Sequence, residues 1–214
     1  MKYFFLAVFF LVDTVHLTAS LKQDTRARNI SKPFLLLSIL GFYCTAAREI
    51  SVFIVLALIF SWIGDLLLIP KGNRWLACGG VAFMIGHAFF TAGYRRDIDF
   101  SNVPTALILI LAVIFFTAAV CLFLKLKPWL PKALVPLLFL YLLINGTMNC
   151  FADFRAVSMG TWPGILTAVG AALFYVSDAL LFFVRFKKDC RIKTHFPVML
   201  TYSAGVFLIV LGLL

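Results

Sequence analysis

Two aspartates hold matching positions in two similar segments of a very apolar chain. Asp65 lies in the sequence WIGDLLL, residues 62–68, and Asp178 holds the same place in YVSDALL, residues 175–181. A carboxylate at membrane depth costs about 2.5–3.5 kcal/mol on insertion scales, and such residues usually face a bundle interior or a watery cavity. The pair therefore predicts a functional site, whereas the plainer alternative is that each aspartate only ties two helices together by hydrogen bonds.

Two carboxyl groups in one partly desolvated pocket are suited to acid-base chemistry. Their environments can separate their protonation states, so that one group holds a proton while the other is ionised. Such a pair suits reactions with an oxocarbenium-like transition state, in which the acid donates a proton and the carboxylate stabilises the cation or directs a water. A pocket open at the headgroup level would admit a single-chain lipid.

The composition indicates that membrane-spanning helices must position these residues. The chain has 214 residues, of which 63% are hydrophobic and 13% charged, against about 45–50% and 25% in soluble domains. Apolar runs long enough to span a bilayer predict a single all-α integral membrane domain with about eight transmembrane helices. The runs cover residues 3–21, 52–69, 75–94, 103–124, 134–151, 162–184 and 196–214, with a shorter run at 33–47. Asp13 and His16 within the first run favour a retained helix over a cleaved signal.

The spacing of the two aspartates predicts an internal repeat. Four helices separate corresponding positions, so the third and seventh helices run in the same direction, as in two four-helix halves related in parallel. Counting from the basic residues that flank each helix, at 1.5 Å per residue, puts both aspartates about 9–10 Å above the cytoplasmic helix ends. The same count puts His87 about 20 Å up, well above them.

The basic residues predict the orientation of the chain. The net charge is +10, but short basic loops between membrane spans report topology and give no reason to expect a nucleic-acid partner. Most of the basic residues lie on one side: Lys22, Arg26, Arg28, Lys32, Lys71, Arg74, Lys125, Lys127, Lys132, Arg185, Lys187, Lys188, Arg191 and Lys193. The other side has Lys2, Arg48, Arg95, Arg96 and Arg155. We expect a bacterial cytoplasmic membrane, with both termini outside the cytoplasm and the basic face against anionic membrane lipids.

Further polar residues accompany the aspartates. Ser61 lies one turn before Asp65 and is expected to donate to its carboxylate. Tyr141, Asn145 and Asn149 repeat every four residues and form one polar stripe on the sixth predicted helix. Such a stripe either lines a polar cavity or bonds helices together.

Metal, serine and nucleotide chemistry are disfavoured. The chain has three histidines, of which His195 lies beside a basic loop while His16 and His87 are expected at different heights, so a three-ligand zinc site is not predicted. There is no GxSxG, HExxH or P-loop motif. The five cysteines, Cys44, Cys78, Cys121, Cys150 and Cys190, have no CxxC spacing and predict neither a disulfide framework nor a zinc site. We expect no cofactor.

Four segments, in this order and spacing, resemble the YhhN-like lysoplasmalogenase family. They are SKP at residues 31–33, GDLLL at 64–68, FMIGHAFF at 83–90 and GAALFYVSDALL at 170–181. The resemblance implies a membrane hydrolase that cleaves the vinyl ether bond of lysoplasmalogens with water, without metal or nucleotide. The products would be a fatty aldehyde and glycerophosphoethanolamine or glycerophosphocholine.

The resemblance also implies roles for single residues. Asp65 and Asp178 would be the acid and the water-directing carboxylate, in either order. Lys32 would hold the lipid phosphate or serve as an ordinary basic anchor, and His87 would be a supporting residue or an alternate proton donor. The remaining candidates for substrate binding or support are Ser61, Tyr141, Asn145 and Ser177.

Two other classes of function also fit these patterns. A proton-coupled transporter would place carboxylates in a bundle with repeated halves, but its site should lie near the midplane at broken helices. A noncatalytic lipid-binding membrane protein would use the aspartates as interhelical ties and would keep its function after an aspartate-to-asparagine change.

Overall fold

A computed structural model describes residues 1–187 and 192–214, and these residues form an all-helical bundle. The predicted all-α fold is confirmed, and eight α-helices are present in the described ranges. They are α1 (Lys2–Leu21), α2 (Thr25–Ala46), α3 (Val52–Leu67), α4 (Asn73–Arg96), α5 (Thr105–Leu126), α6 (Val135–Met159), α7 (Trp162–Phe186) and α8 (Phe196–Leu211). Lys188, Cys190 and Arg191 lie outside the described residues.

Five helical stretches are long and apolar enough to cross a membrane. They comprise α1, α4, α7, α5 with the short turn after it (Thr105–Trp129) and α6 with the short turn before it (Lys132–Met159). Helix α5 buries only Ala119 and Leu126 within the bundle, which leaves an almost entirely apolar surface of the kind that lipid covers. Helices α3 and α8 are apolar but only 16 residues long.

Helix α2 begins eight residues earlier than its apolar run predicts. Asp24 caps its start at Thr25, where the carboxylate accepts two backbone N–H bonds of 3.0 Å, which compensates for donors that lack helical partners. Pro33 lies inside the helix and not at its opening, so one helical hydrogen bond is missing there. Arg28 and Lys32 therefore project from the first turns of a helix and do not belong to a loop.

Helix α3 ends two residues before its predicted run does, and the first residues of α4 extend past the end of α3 along the helix axis. Pro70 disfavours helix at the residue before it, and α3 stops at Leu67. Gly72 then adopts φ +129°, a conformation that suits only glycine. Six residues into α4, a Cβ on Gly79 would lie 3.0 Å from the side chain of Leu68. Helix α4 therefore projects about 9 Å past the end of α3.

The packing of the helices repeats between the two halves of the chain. Neighbours in sequence pack side by side in each half, and the fourth helix of each half also contacts the second helix of the other, as α4 on α6 and α8 on α2. The parallel relation of the halves stays a prediction, because α8 also packs on α1, whereas α4 has no comparable contact with α5 among the described residues. Helices α7 and α8 approach each other closely at Gly170, where a Cβ would lie 2.6 Å from the Ile209 nitrogen and 2.7 Å from the Gly205 oxygen.

We expect Gly170→Ala to destabilise the bundle, because its methyl group would overlap backbone atoms of α8 that cannot move independently. Overpacking of this kind costs about 1–3 kcal/mol. The matched control is Gly80→Ala on α4, where nothing lies within 4 Å of the added carbon and helix propensity improves. Thermal unfolding in detergent should show a lower midpoint for Gly170→Ala and an unchanged or higher one for Gly80→Ala. Equal midpoints would contradict the α7 to α8 packing.

Candidate active site

A cavity of about 280 Å³ opens at one end of the bundle and contains both aspartates. All of its lining residues come from the ends of α1, α3 and α7, the starts of α2, α4, α6 and α8, and the turns between them. One wall is apolar and comes from α6, the short turn before it and α7, with side chains that include Leu134, Leu137, Leu138, Leu181, Phe182 and Phe186. The cavity therefore combines a lipid-like wall with two carboxylates at the end of the bundle that carries most of the basic residues.

Asp65 is a buried carboxylate whose two oxygens both have partners. The ammonium of Lys32 lies 3.1 Å from Oδ1, and the hydroxyl of Tyr202 donates to Oδ2 at 2.7 Å. Asp65 is only 2% exposed, and a buried carboxylate of this kind is tolerated when it is paired and hydrogen-bonded. The ammonium lies close enough to compensate the negative charge that the carboxylate carries when it is ionised.

Asp178 has neutral partners, and they converge on one oxygen. The hydroxyl of Tyr141 donates to Oδ2 at 2.6 Å, and the amide of Asn145 donates to the same atom at 2.7 Å. Oδ1 accepts no hydrogen bond from the residues that the structure describes. Asn149 donates to the side-chain oxygen of Asn145 at 3.1 Å and so directs the amide nitrogen of Asn145 toward Asp178.

His87 lies beside Asp178, so its predicted height well above that aspartate is wrong. Its Nε2 is 3.6 Å from Oδ2 of Asp178 and 3.2 Å from the hydroxyl oxygen of Tyr141. Since that hydroxyl proton goes to Asp178, His87 donates to Tyr141 through Nε2. The prediction assumed that the basic residues at the helix ends all lie at one depth. Helix α4 instead starts about two turns beyond the end of α3, so a residue counted from its start lies closer to the aspartates than expected. The equal heights predicted for the two aspartates stay a prediction, because the helix ends are offset and give no common level.

The two serines of the predicted site have other contacts. Ser61 does not donate to Asp65: its hydroxyl is fully buried without a partner among the described residues and packs against Gly86 of α4. The Asp65 carboxylate instead points toward α2 and α8. Ser177 borders the cavity but donates to the backbone carbonyl of Val198 at 2.9 Å, which joins α7 to α8.

The two carboxylate sites are built on one plan. Asn145 lies 33 residues before Asp178, and Lys32 lies the same number of residues before Asp65, each on the second helix of its half. The fourth helix of the opposite half then brings an aromatic group to each carboxylate, Tyr202 to Asp65 and His87 to Asp178. The short sequence repeat thus extends to the surroundings of the carboxylates, but their partners differ. Asp65 has a lysine and a tyrosine, whereas Asp178 has an asparagine, a tyrosine and a nearby histidine.

Several residues of the site were missed by sequence reasoning. Tyr202 gave no signal beyond its place beside Ser203 in an apolar helix. At the mouth of the cavity lie Arg28, Lys71, Arg185 and His195, which the sequence analysis used only as topology markers or excluded as metal ligands. The pKa of His195 is lowered to about 4 by burial and by the positive charges of nearby basic residues, Arg28, Lys32 and Arg185. His195 is therefore neutral at pH 7, inside a cluster of cations.

Taken together, the bundle and the cavity define an all-α membrane protein with a paired-carboxylate site at one end of its helices. In the described part of the chain, no group of three or more histidine, cysteine, aspartate or glutamate side chains is placed to hold a metal ion. The sequence model of the YhhN family matches residues 27–213, so the chain belongs to the YhhN family. No curated protein and no solved structure matches it.

The ion pair predicts an asymmetric response to removal of either partner. Lys32→Met leaves a buried carboxylate unpaired, and loss of one partner of a buried pair costs about 3–5 kcal/mol. Asp65→Asn should cost less, because the lysine side chain is 16% exposed and its ammonium can turn toward water. In the double variant we expect most of the Lys32→Met loss to disappear. Unfolding in detergent measures all three variants, with Lys22→Met, an exposed lysine at the end of α1, as the control. Additive losses in the double variant would contradict the pair.

Proposed function

We propose that this protein is a lysoplasmalogenase-type hydrolase that uses water to cleave the vinyl ether bond of a single-chain lysophospholipid. The observation that carries the proposal is the pair of unlike carboxylates in one cavity, one neutralised by an ammonium and the other held by neutral donors with a free oxygen. Membership of the YhhN family supports the same conclusion. The products are a fatty aldehyde and a glycerophospho alcohol, such as glycerophosphoethanolamine or glycerophosphocholine.

In this proposal Asp178 is the acid. Tyr141 and Asn145 occupy Oδ2, which leaves Oδ1 available to hold a proton at the cavity surface. The proton is transferred to the vinyl carbon farther from the ether oxygen, and the electron pair of the double bond forms the new C–H bond. The carbon attached to oxygen becomes an oxocarbenium ion, a cation that the carboxylate of Asp65 stabilises.

Asp65 then directs the water. A water on the cationic carbon loses one proton to the Asp65 carboxylate and leaves a hemiacetal. Transfer of the hemiacetal hydroxyl proton to a carboxylate, together with protonation of the glycerol oxygen, breaks the old C–O bond. One water is consumed, the aldehyde and alcohol leave, and both carboxyl groups return to their starting states without any metal or redox step.

The shape of the cavity fits the proposed substrate. Its volume of about 280 Å³ is just below the roughly 300–1,000 Å³ of small-molecule sites. The glycerol and the vinyl ether group would lie between the aspartates and the mouth, while the alkyl chain follows the apolar wall of α6 and α7 toward lipid. We infer entry from the basic face, which the positive-inside rule assigns to the cytoplasmic side of a bacterial membrane.

The first test is aldehyde release from a choline or ethanolamine lysoplasmalogen by the detergent-purified protein. Asp65→Asn and Asp178→Asn should each reduce kcat by about 100-fold or more, since general acid-base groups contribute about 10²–10⁴-fold. A chelator should leave the native rate unchanged. Tyr141→Phe and Tyr202→Phe keep the aromatic ring but remove one hydrogen bond to a carboxylate, and should reduce kcat by about tenfold.

Binding of a saturated ether analogue to each variant supplies the folding control. Variants that bind the analogue normally but release no aldehyde would support catalytic aspartates. A native protein that binds the analogue and releases no aldehyde would refute the hydrolase proposal and favour a lipid-binding protein. Retained activity in both asparagine variants would show that the aspartates only join helices by hydrogen bonds and are not catalytic.

The assignment of acid and base has its own test. In Asp65→Ala the shortened side chain leaves room for a small anion, and added formate should recover part of the activity by accepting the proton of the attacking water. The same addition should not rescue Asp178→Ala, because an anion cannot deliver the proton to carbon. Rescue of Asp178→Ala alone would reverse the two roles.

A further inference from the structure

The cations at the cavity mouth lack acidic partners. Arg28, Lys71 and Arg185 border the cavity, and none of them lies within ion-pair distance of a carboxylate in residues 1–187 and 192–214. The Nε atom of Arg28 is buried and has no hydrogen-bond acceptor in the same ranges. Since a buried donor without an acceptor is costly, this guanidinium is arranged for a partner that a ligand can supply.

The positive charges converge on one place. His195 lies at the same mouth, and the charges of Arg28, Lys32 and Arg185 all act on its imidazole. Lys32 is compensated by Asp65, which leaves Arg28 and Arg185 as uncompensated guanidinium groups. Guanidinium groups bind phosphate oxygens through paired, charge-assisted hydrogen bonds. An oxyanion, and a phosphate in particular, is therefore the kind of ligand that Arg28 and Arg185 would bind together.

The distance from the carboxylates also fits a lysophospholipid. Arg28 and Lys32 lie one turn apart on the same face of α2. Along the helix axis, the Cα atom of Arg28 is therefore about 6 Å nearer the mouth of the cavity than the Cα atom of Lys32, the residue that contacts Asp65. In a lysoplasmalogen, five bonds through glycerol separate the vinyl ether oxygen from phosphorus, an extended path of about 6 Å. A phosphate at Arg28 would therefore place the vinyl ether group beside the aspartates.

Resting on the proposed function, we propose that Arg28, Lys71 and Arg185 form a phosphate subsite that favours lysoplasmalogens with a simple phosphate headgroup over those carrying choline or ethanolamine. The amine of a zwitterionic headgroup is a cation and needs an anionic or aromatic partner. The described lining offers two carboxylates, Asp65 and Asp178, and both are committed to the proposed chemistry. Among its aromatic side chains, Tyr141 and Tyr202 donate to these carboxylates, while Phe182 and Phe186 lie on the wall assigned to the alkyl chain. A phosphate monoester adds negative charge where the protein has unpaired positive charge.

The test compares three vinyl ether substrates that differ only beyond the glycerol: the phosphate monoester, the choline diester and the phosphate-free alkenylglycerol. For the native protein we expect kcat/KM to be about tenfold higher for the monoester than for the choline diester, the equivalent of one charge-assisted contact. A choline diester cleaved equally well or better would overturn the headgroup preference.

Variants separate the subsite from general effects on the fold. Arg28→Gln and Arg185→Gln should reduce kcat/KM by about tenfold for both phosphorylated substrates, mainly through KM, and leave alkenylglycerol cleavage unchanged. Arg26→Gln is the matched control, because Arg26 is exposed on the same helix and does not border the cavity. Equal losses on all three substrates, or no loss in either variant, would overturn the subsite.

Binding measurements keep this inference separate from the proposed reaction. If no substrate releases aldehyde, the hydrolase proposal fails, while the subsite still predicts that Arg28→Gln weakens binding of a saturated alkyl lysophosphatidate by about tenfold. Unchanged binding would then refute the subsite itself. Inorganic phosphate distinguishes the source of the phosphate: we expect it to bind far more weakly than the lipid analogue, and equal binding would assign the site to free phosphate.

Discussion

Burial of two carboxylates in an apolar bundle is the constraint on which the rest of this structure depends. Each carboxylate must find partners within a few ångströms, because the surrounding leucines and phenylalanines offer none. Helices α2 and α8 supply them for Asp65, and α4 and α6 supply them for Asp178. The contacts that satisfy the aspartates are therefore also contacts that join the two halves of the chain. In such a bundle the site and the helix packing are specified by the same side chains.

The relation between the two halves explains how one fold can hold two unlike carboxyl groups. The same helix in each half presents a residue 33 positions before the aspartate, and the opposite half presents an aromatic group. Lys32 and Asn145 fill equivalent places with very different chemistry. An ammonium stabilises the ionised form of its neighbour, whereas an amide donates one hydrogen bond and adds no charge. In the proposed reaction, this difference between two similarly built sites separates the acid from the base.

Sequence reasoning predicted the fold, and it grouped several of the polar residues that line the cavity, because both depend on local patterns. Runs of apolar residues predict helices directly, and four-residue spacing placed Tyr141 and Asn145 on one face, where both contact Asp178. It failed where the answer depends on how helices are offset along their axes. The height of His87 was wrong because α3 stops before Pro70 and α4 begins further out. Ser61 shares a helix with Asp65 but packs against α4, and no spacing on one helix reveals which neighbour a side chain meets.

Tyr202 is a second example of a contact that sequence reasoning could not predict. It contributes the shortest hydrogen bond to Asp65, although 137 residues separate the two and nothing near Tyr202 in the sequence resembles a motif.

The basic face of the protein has two physical consequences at once. Positive charge at one end of the bundle favours the cytoplasmic side during insertion and attracts anionic lipid, and the cavity opens at that same end. A charge used only for topology can lie anywhere on an exposed loop, as Lys22 does. Arg28 differs, because the cap at Asp24 extends α2 outward and carries its guanidinium to the cavity with Nε buried. The Nε atom of Arg28 has no acceptor among the described residues, and a buried donor without an acceptor is costly. The proposed phosphate subsite accounts for this position, whereas the direction in which the chain crosses the membrane does not.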